Sequence, residues 1–179
     1  FLTFGDALAA QIAQTAPADL ETLLAQPWQG QAGLPVQAYL NELIGQIGEN
    51  IRIRRFSRFA NGGPVAAYIH FGGKIGVLLE LSASSNSSEL QTLAKDLAMQ
   101  VAAMSPVAVD RDGVPQDVQD KEIEIGKEQA RKEGKPEQIL EKIAMGKMNK
   151  FFKENTLDNQ NIVKENKKYV KQYLQKIYK

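Results

Sequence analysis

The sequence predicts an α+β fold, with helices packed on a small antiparallel three-stranded sheet. Three observations carry that expectation. Apolar residues recur at helical spacing toward both ends of the chain. In the middle they alternate with a period of two, and helices flank the strands instead of alternating with them, which argues against βαβ units. At 179 residues and 43% apolar content, the chain can bury a real core in one domain or in two small lobes.

Phe4, Leu8 and Ile12 recur at i, i+4 and i+8 before a Thr-Ala-Pro break, which predicts a first helix ending near Thr15. A short helix from about Asp19 to Ala25 follows, capped by Asp19, with Glu21 in its first turn. Pro27, Gly30 and Gly33 then interrupt the chain. A third helix runs from about Val36 to Gly48, with Leu40, Leu43, Ile44 and Ile47 as its inner face and Gly48 as its stop. After Glu49 the period switches to two, where Ile51, Ile53 and Phe56 alternate against Arg52 and Arg54 in a strand from about Ile51 to Phe59. An Asn-Gly-Gly turn at Asn61 and the strand-opening Pro64 lead onward.

Val65 to Leu81 reads as a β-hairpin, two alternating apolar runs hinged on Gly72-Gly73-Lys74. The two glycines supply the positive φ that a tight turn requires. Alternation puts Val65, Ala67, Ile69 and Phe71 on one face, and Ala66, Tyr68 and His70, the sole histidine, on the other. A serine-rich loop from Ser82 to Ser88 precedes a helix with Leu90, Leu93, Leu97, Val101 and Met104 on one face, and Ser88 and Gln91 at capping-box spacing. Pro106 and Asp110-Arg-Asp-Gly113 separate it from a long polar helix between about Pro115 and Gly134. Pro136 opens another, running to about Asn155, with Ile139, Leu140, Ile143, Met148 and Phe151 or Phe152 as its stripe. The division expected is an N-terminal lobe over 1–60, helices plus one strand, and a C-terminal lobe over 61–179, the hairpin plus helices.

No apolar run approaches the roughly 20 residues that cross a bilayer, and the first residues lack the pattern of a signal peptide. The chain is expected to be soluble, in a bacterial cytoplasm or an organelle matrix. Without cysteine it has neither a disulfide framework nor a thiolate metal site. There is no Walker A sequence and no Rossmann glycine fingerprint, so no cofactor, metal or nucleotide site of its own is expected. Net charge is +1 at pH 7, yet the segment from Lys164 to Lys179 is basic, with Lys167, Lys168, Lys171, Lys176 and Lys179 around Tyr169, Tyr173 and Tyr178. Two readings stand there: a ribosome- or RNA-associated binding module, or a solvated helix packing Tyr169, Val170, Tyr173, Leu174 and Ile177 inward.

Several short segments, in order along nearly the whole chain, resemble the bacterial-type elongation factor Ts family. Ile47-Gly-Glu-Asn-Ile-Arg-Ile-Arg-Arg-Phe56 is similar to its IGENI-x-x-RR segment, and the hairpin has its wording. Ala98-Met-Gln-Val-Ala-Ala-Met-Ser-Pro106 resembles its AM-x-VAA-x-x-P helix end. Glu133-Gly-Lys-Pro136, Ile143-Ala-Met-Gly-Lys-Met-Asn-Lys-Phe-Phe152 and Leu157-Asp-Asn-Gln160 match its EGKP, GR-x-x-KF and L-x-x-Q landmarks. The resemblance implies a guanine nucleotide exchange factor that binds elongation factor Tu and promotes GDP release during translation elongation. Such a protein needs no catalytic constellation, only tighter binding to the nucleotide-free partner.

Site residues follow from the same resemblance. Ile47, with Gly48 and Asn50, lies where the family places an apolar contact to the partner's nucleotide-binding domain; periodicity alone reads Ile47 as core. His70 resembles a contact to the partner's third domain, with Gly72, Gly73 and Lys74 as a docking tip. A solvated histidine, or an acid-base group served by Glu80 or Asp96, is the competing reading. Either Arg54 or Arg55 can reach a given surface, since neighbouring strand residues face opposite ways. Met99, with Ala102 and Ala103, offers a small-residue surface or a core face. Ile162 and Val163 resemble a further third-domain contact, although Asn161-Ile162 replaces the family's proline-phenylalanine. The TDFVA-type motif, the small helical domain before it and the final RF-x-VGE strand are not in this sequence, so the chain is expected to be a core fragment.

Overall fold

A computed structural model describes residues 2–31, 33–83 and 85–177, with the side chains of Asn166, Lys167, Lys176 and Ile177 outside the description. The chain divides into two compact units, Phe1–Ala60 and Asn61–Lys179.

The first unit is helical. Helices α1 (Leu2–Thr15), α2 (Leu20–Ala25) and α3 (Val36–Ile47) turn Phe4, Leu8, Ile12, Leu23, Val36 and Leu40 onto Trp28. The Trp28 ring lies 5.3 Å from that of Phe4 and 5.0 Å from that of Tyr39, between centroids, so aromatic packing adds to area burial. Gln11 is buried among them without penalty. Its amide donates to Gln26 Oε1 and the Pro27 carbonyl and accepts from the Gln29 N–H. Asp19 caps α2 by accepting the Thr22 N–H at 2.7 Å, and that bond holds its carboxyl below the usual carboxylate range.

The strand expected from Ile51 to Phe59 does not form, and with it goes the three-stranded sheet. Ile51, Ile53 and Phe56 pack half-buried on the helical core, while Arg52 and Arg54 are exposed. The alternation therefore records which side chains are buried; a strand also needs a partner backbone, and among the described residues none pairs with this segment.

The second unit holds two separate two-stranded antiparallel sheets. Strands β1 (Val65–His70) and β2 (Ile75–Glu80) form the hairpin in the register Val65↔Glu80 to His70↔Ile75. One hairpin face lies on α4 (Ser88–Met104), whose Leu90, Leu93, Ala94 and Leu97 share a core with Leu81, Leu157, Ile162 and Val170. The cap of α4 is Ser87, one residue before the expected position: its Oγ accepts the Leu90 N–H at 3.3 Å, while Ser88 is already helical. Leu90 occupies the position where a capping box needs Glu or Gln, so the return bond is missing.

Helices α5 (Gln116–Lys132) and α6 (Glu137–Asn155) form an antiparallel pair joined through Gly134, which has φ 73°. Buried Gly126 meets Ala144 at their crossing, and Val114, Met148 and Phe152 form a small core at their base. The expected stripe on α6 is corrected at Ile139, which is exposed. Beyond α6, the chain makes β3 (Asn161–Ile162) and β4 (Glu165–Tyr169) before α7 (Val170–Ile177). The C-terminal helix thus begins at Val170, and half-buried Tyr173 and Leu174 pack against the α4 core with buried Val170. Of the residues expected there, Tyr178 and Lys179, and the side chains of Lys167, Lys176 and Ile177, lie outside the described residues.

Candidate functional site

On the hairpin, the face with Tyr68 and His70 is the inner one, shared with half-buried Val77 and Leu79 of β2. Ala66, Tyr68 and His70 face inward and are half-buried, whereas Val65, Ala67 and Ile69 are exposed, Ile69 at 66%. Cross-strand Leu78 extends that apolar outer face. At the tip, Phe71, Gly72 and Gly73 take φ values of 49°, 62° and 97° in succession. Gly72 and Gly73 adopt this left-handed turn freely, but Phe71 pays about 1–3 kcal/mol for it. Phe71 is also 72% exposed.

Around His70 the geometry is close. Tyr68 Oη lies 2.9 Å from His70 Nδ1, the two rings stack at 5.6 Å and 30°, and the Phe71 ring meets the imidazole edge-on at 4.2 Å. His70 Nε2 has no hydrogen-bond partner among the described residues, where no sealed side-chain nitrogen or oxygen lacks one. Nε2 is therefore open to solvent. Neither carboxylate considered as an acid-base partner reaches the ring. Glu80 accepts both the Asn61 N–H and its side-chain amide at 2.8 Å, and Asp96 is ion-paired with Lys164. Lys74 is exposed beside the tip, with no ion pair among the described residues.

In the first unit, Ile47 ends α3 at 41% exposure, outside the core that takes Leu43 and Ile44. Its burial as part of the inner helix face is corrected: Gly48, at φ 77°, stops the helix before the stripe closes over the last turn. Gly48, Asn50, Arg54 and Arg55 are all exposed, and neither arginine has an ion pair or hydrogen bond among the described residues.

The remaining candidates separate. Met99 is half-buried on α4, between buried Ala98 and Gln100. Ala102 is core and Ala103 is exposed, so no continuous small-residue surface forms. Ile162 is corrected from contact to core at 6% exposure, because β3 turns it into the α4 cluster; Val163, the next residue, is 53% exposed. Buried Gln100 holds that turn, donating to the Asn161 carbonyl at 3.1 Å and accepting the Val163 N–H at 2.9 Å. Gln160 donates to the Glu154 carbonyl at 3.0 Å. Sequence reasoning missed Gln100, since an amide inside an apolar stripe carries no periodic signal. It placed Tyr68 on the His70 face without revealing their hydrogen bond.

Of the basic C-terminal residues, Lys164 is paired with Asp96 and Lys168 with Glu165. Lys171 lies near Asp158, whose carboxyl is pushed above its ordinary value, chiefly by burial.

By fold, then, this is an α+β chain of two compact units, in which Ile47, Gly48, Asn50, Arg54, Lys74 and Val163 are exposed, His70 and Met99 half-buried and Ile162 buried. The model of the family described as elongation factor TS matches residues 1–179. An elongation factor Ts of Trichlorobacter lovleyi is 45% identical over 179 residues, covering 97% of this chain and 58% of its own length. One of Cytophaga hutchinsonii is 44% identical, covering 100% of this chain and 63% of its own, and one of Clostridium botulinum is 40% identical, at 98% and 57%. The chain belongs to the elongation factor Ts family. It spans less than two thirds of the length of these relatives. Among the described residues, no helix is long and apolar enough to cross a membrane.

Proposed function

We propose that the chain is the core of a guanine nucleotide exchange factor, a binding protein without catalytic chemistry that docks on elongation factor Tu in the cytoplasm and promotes GDP release. One observation carries the reading: two of the positions that the family resemblance assigns to the partner, Ile47 and His70, hold a group that their own unit leaves unused. Ile47 offers an apolar side chain outside its core, and His70 offers Nε2.

The mechanism divides between them. Ile47 enters an apolar pocket on the partner's nucleotide-binding domain, with the exposed Gly48, Asn50 and Arg54 as further contacts. The hairpin holds the partner's third domain through His70, with Gly72 and Gly73 letting backbone approach and Lys74 supplying charge. Val163 adds a further contact to that domain. Because the complex is tighter with the nucleotide-free partner, binding and GDP oppose each other by the same coupling free energy. The RNA-binding alternative loses ground through Lys164 and Lys168, whose charges are already paired.

Stopped-flow release of a fluorescent GDP analogue from elongation factor Tu, with and without a large excess of this chain, tests the proposal. Acceleration is expected. Association without acceleration would reduce the function to docking, and failure of both would overturn it.

A further inference from the structure

We propose that Tyr68 is a positioning residue for His70: its hydroxyl donates to Nδ1, fixes the imidazole as the Nε2–H tautomer, and so makes the hairpin a hydrogen-bond donor toward an acceptor oxygen on a docked protein. The docking half of this rests on the exchange-factor reading above; the tautomer half does not.

Register places the two side chains together. Tyr68 and His70 are two apart on β1, hence on one face of the strand, opposite Val77 and Ile75. Their 2.9 Å separation and stacked rings leave one strong hydrogen bond, Tyr68 Oη to His70 Nδ1. Its direction follows from the chemistry of the two groups. A phenol is the better donor, and the bare nitrogen of a neutral imidazole is the better acceptor, so O–H···N is preferred over N–H···O. The proton of the neutral ring then sits on Nε2, the nitrogen with no partner among the described residues and with access to solvent. Phe71, edge-on at 4.2 Å, limits rotation of the ring about its bond to the backbone. Carboxylates do not compete for this arrangement, because Glu80 is bonded to Asn61 and Asp96 to Lys164.

What this supplies is direction. A surface histidine free to exchange tautomers presents a donor or an acceptor by turns, whereas a clamped one presents a donor always, and the partner's acceptor need not wait for it.

The test uses the whole chain, labelled with 15N-histidine, at a pH where the imidazole is neutral. Long-range 1H–15N spectra are expected to show Nε2 at the protonated position and Nδ1 at the unprotonated one; the reverse pattern overturns the proposal without any variant. Tyr68→Phe keeps the stacked ring and removes the donor. It is expected to move the nitrogen shifts toward a tautomer mixture and to weaken association with elongation factor Tu about two- to tenfold, the range of one lost hydrogen bond. In a His70→Ala background the same change should have no further effect. Unaltered spectra in Tyr68→Phe overturn the clamp. Normal affinity of His70→Ala, beside the expected spectra, overturns the docking half and the role assigned to His70 together, leaving the clamp as a purely structural contact.

Discussion

A residue's type constrains its role less than its surroundings do, and Ile47 and Ile162 illustrate it. Both are isoleucines in segments similar to the family's partner contacts, yet Ile47 stands at 41% exposure and Ile162 at 6%. Periodicity assigns Ile47 to the inner face of α3, and only the left-handed stop at Gly48 explains why its turn is left uncovered. His70→Ala is expected to weaken association with elongation factor Tu by about 1–2 kcal/mol, as for a buried interface anchor, with calorimetry as the measurement; unchanged affinity removes that role. Asp158 supplies a pH prediction. Its folded pKa is raised above the ordinary 3.8, mainly by burial, so its carboxyl favours folding when protonated, and that contribution is lost as pH rises from 3.8 through the folded value. Asp158→Asn should therefore stabilise the chain at pH 7, by up to about 0.5 kcal/mol, and bring no gain at pH 3. Thermal melts at both pH values decide it.

Elements form where local pattern and a tertiary partner agree. Helices α1, α2, α3, α5 and α6 carry both, through apolar spacing, Asp19 at a cap, and glycine or proline at the ends, and their positions were legible from those residues. The segment from Ile51 to Phe59 has the strand pattern without a backbone partner, so it packs as an irregular segment. β4 is the converse. Glu-Asn-Lys-Lys-Tyr carries no apolar alternation, and pairing with β3 alone makes it a strand. At the crossing of α5 and α6, a Cβ added to Gly126 would sit 3.2 Å from Ala144 Cα. Gly126→Val should force the helices apart and destabilise the second unit by about 1–3 kcal/mol, read as a lower urea midpoint. No loss would mean that the pair accommodates the branched side chain by shifting.

At the scale of the whole molecule, charge separates the two readings of function. With a net charge of +1 and its described C-terminal lysines partly neutralised by Asp96 and Glu165, the chain has little to release counterions with. It is expected to elute from heparin at low salt while co-eluting with elongation factor Tu under the same conditions; firm retention that falls steeply with salt would favour the RNA reading. The sequence by itself determined the helices, the hairpin, the turn glycines and family membership, because these depend on spacing and residue type within a few turns of chain. Tertiary structure alone decided that the expected three-stranded sheet is reduced to the hairpin, that a second pair of strands forms from β3 and β4, that Ile47 is open and Ile162 closed, and that Tyr68 engages His70. Each of those depends on which backbone or side chain arrives from a distant part of the chain, and a local pattern does not record what will be packed against it.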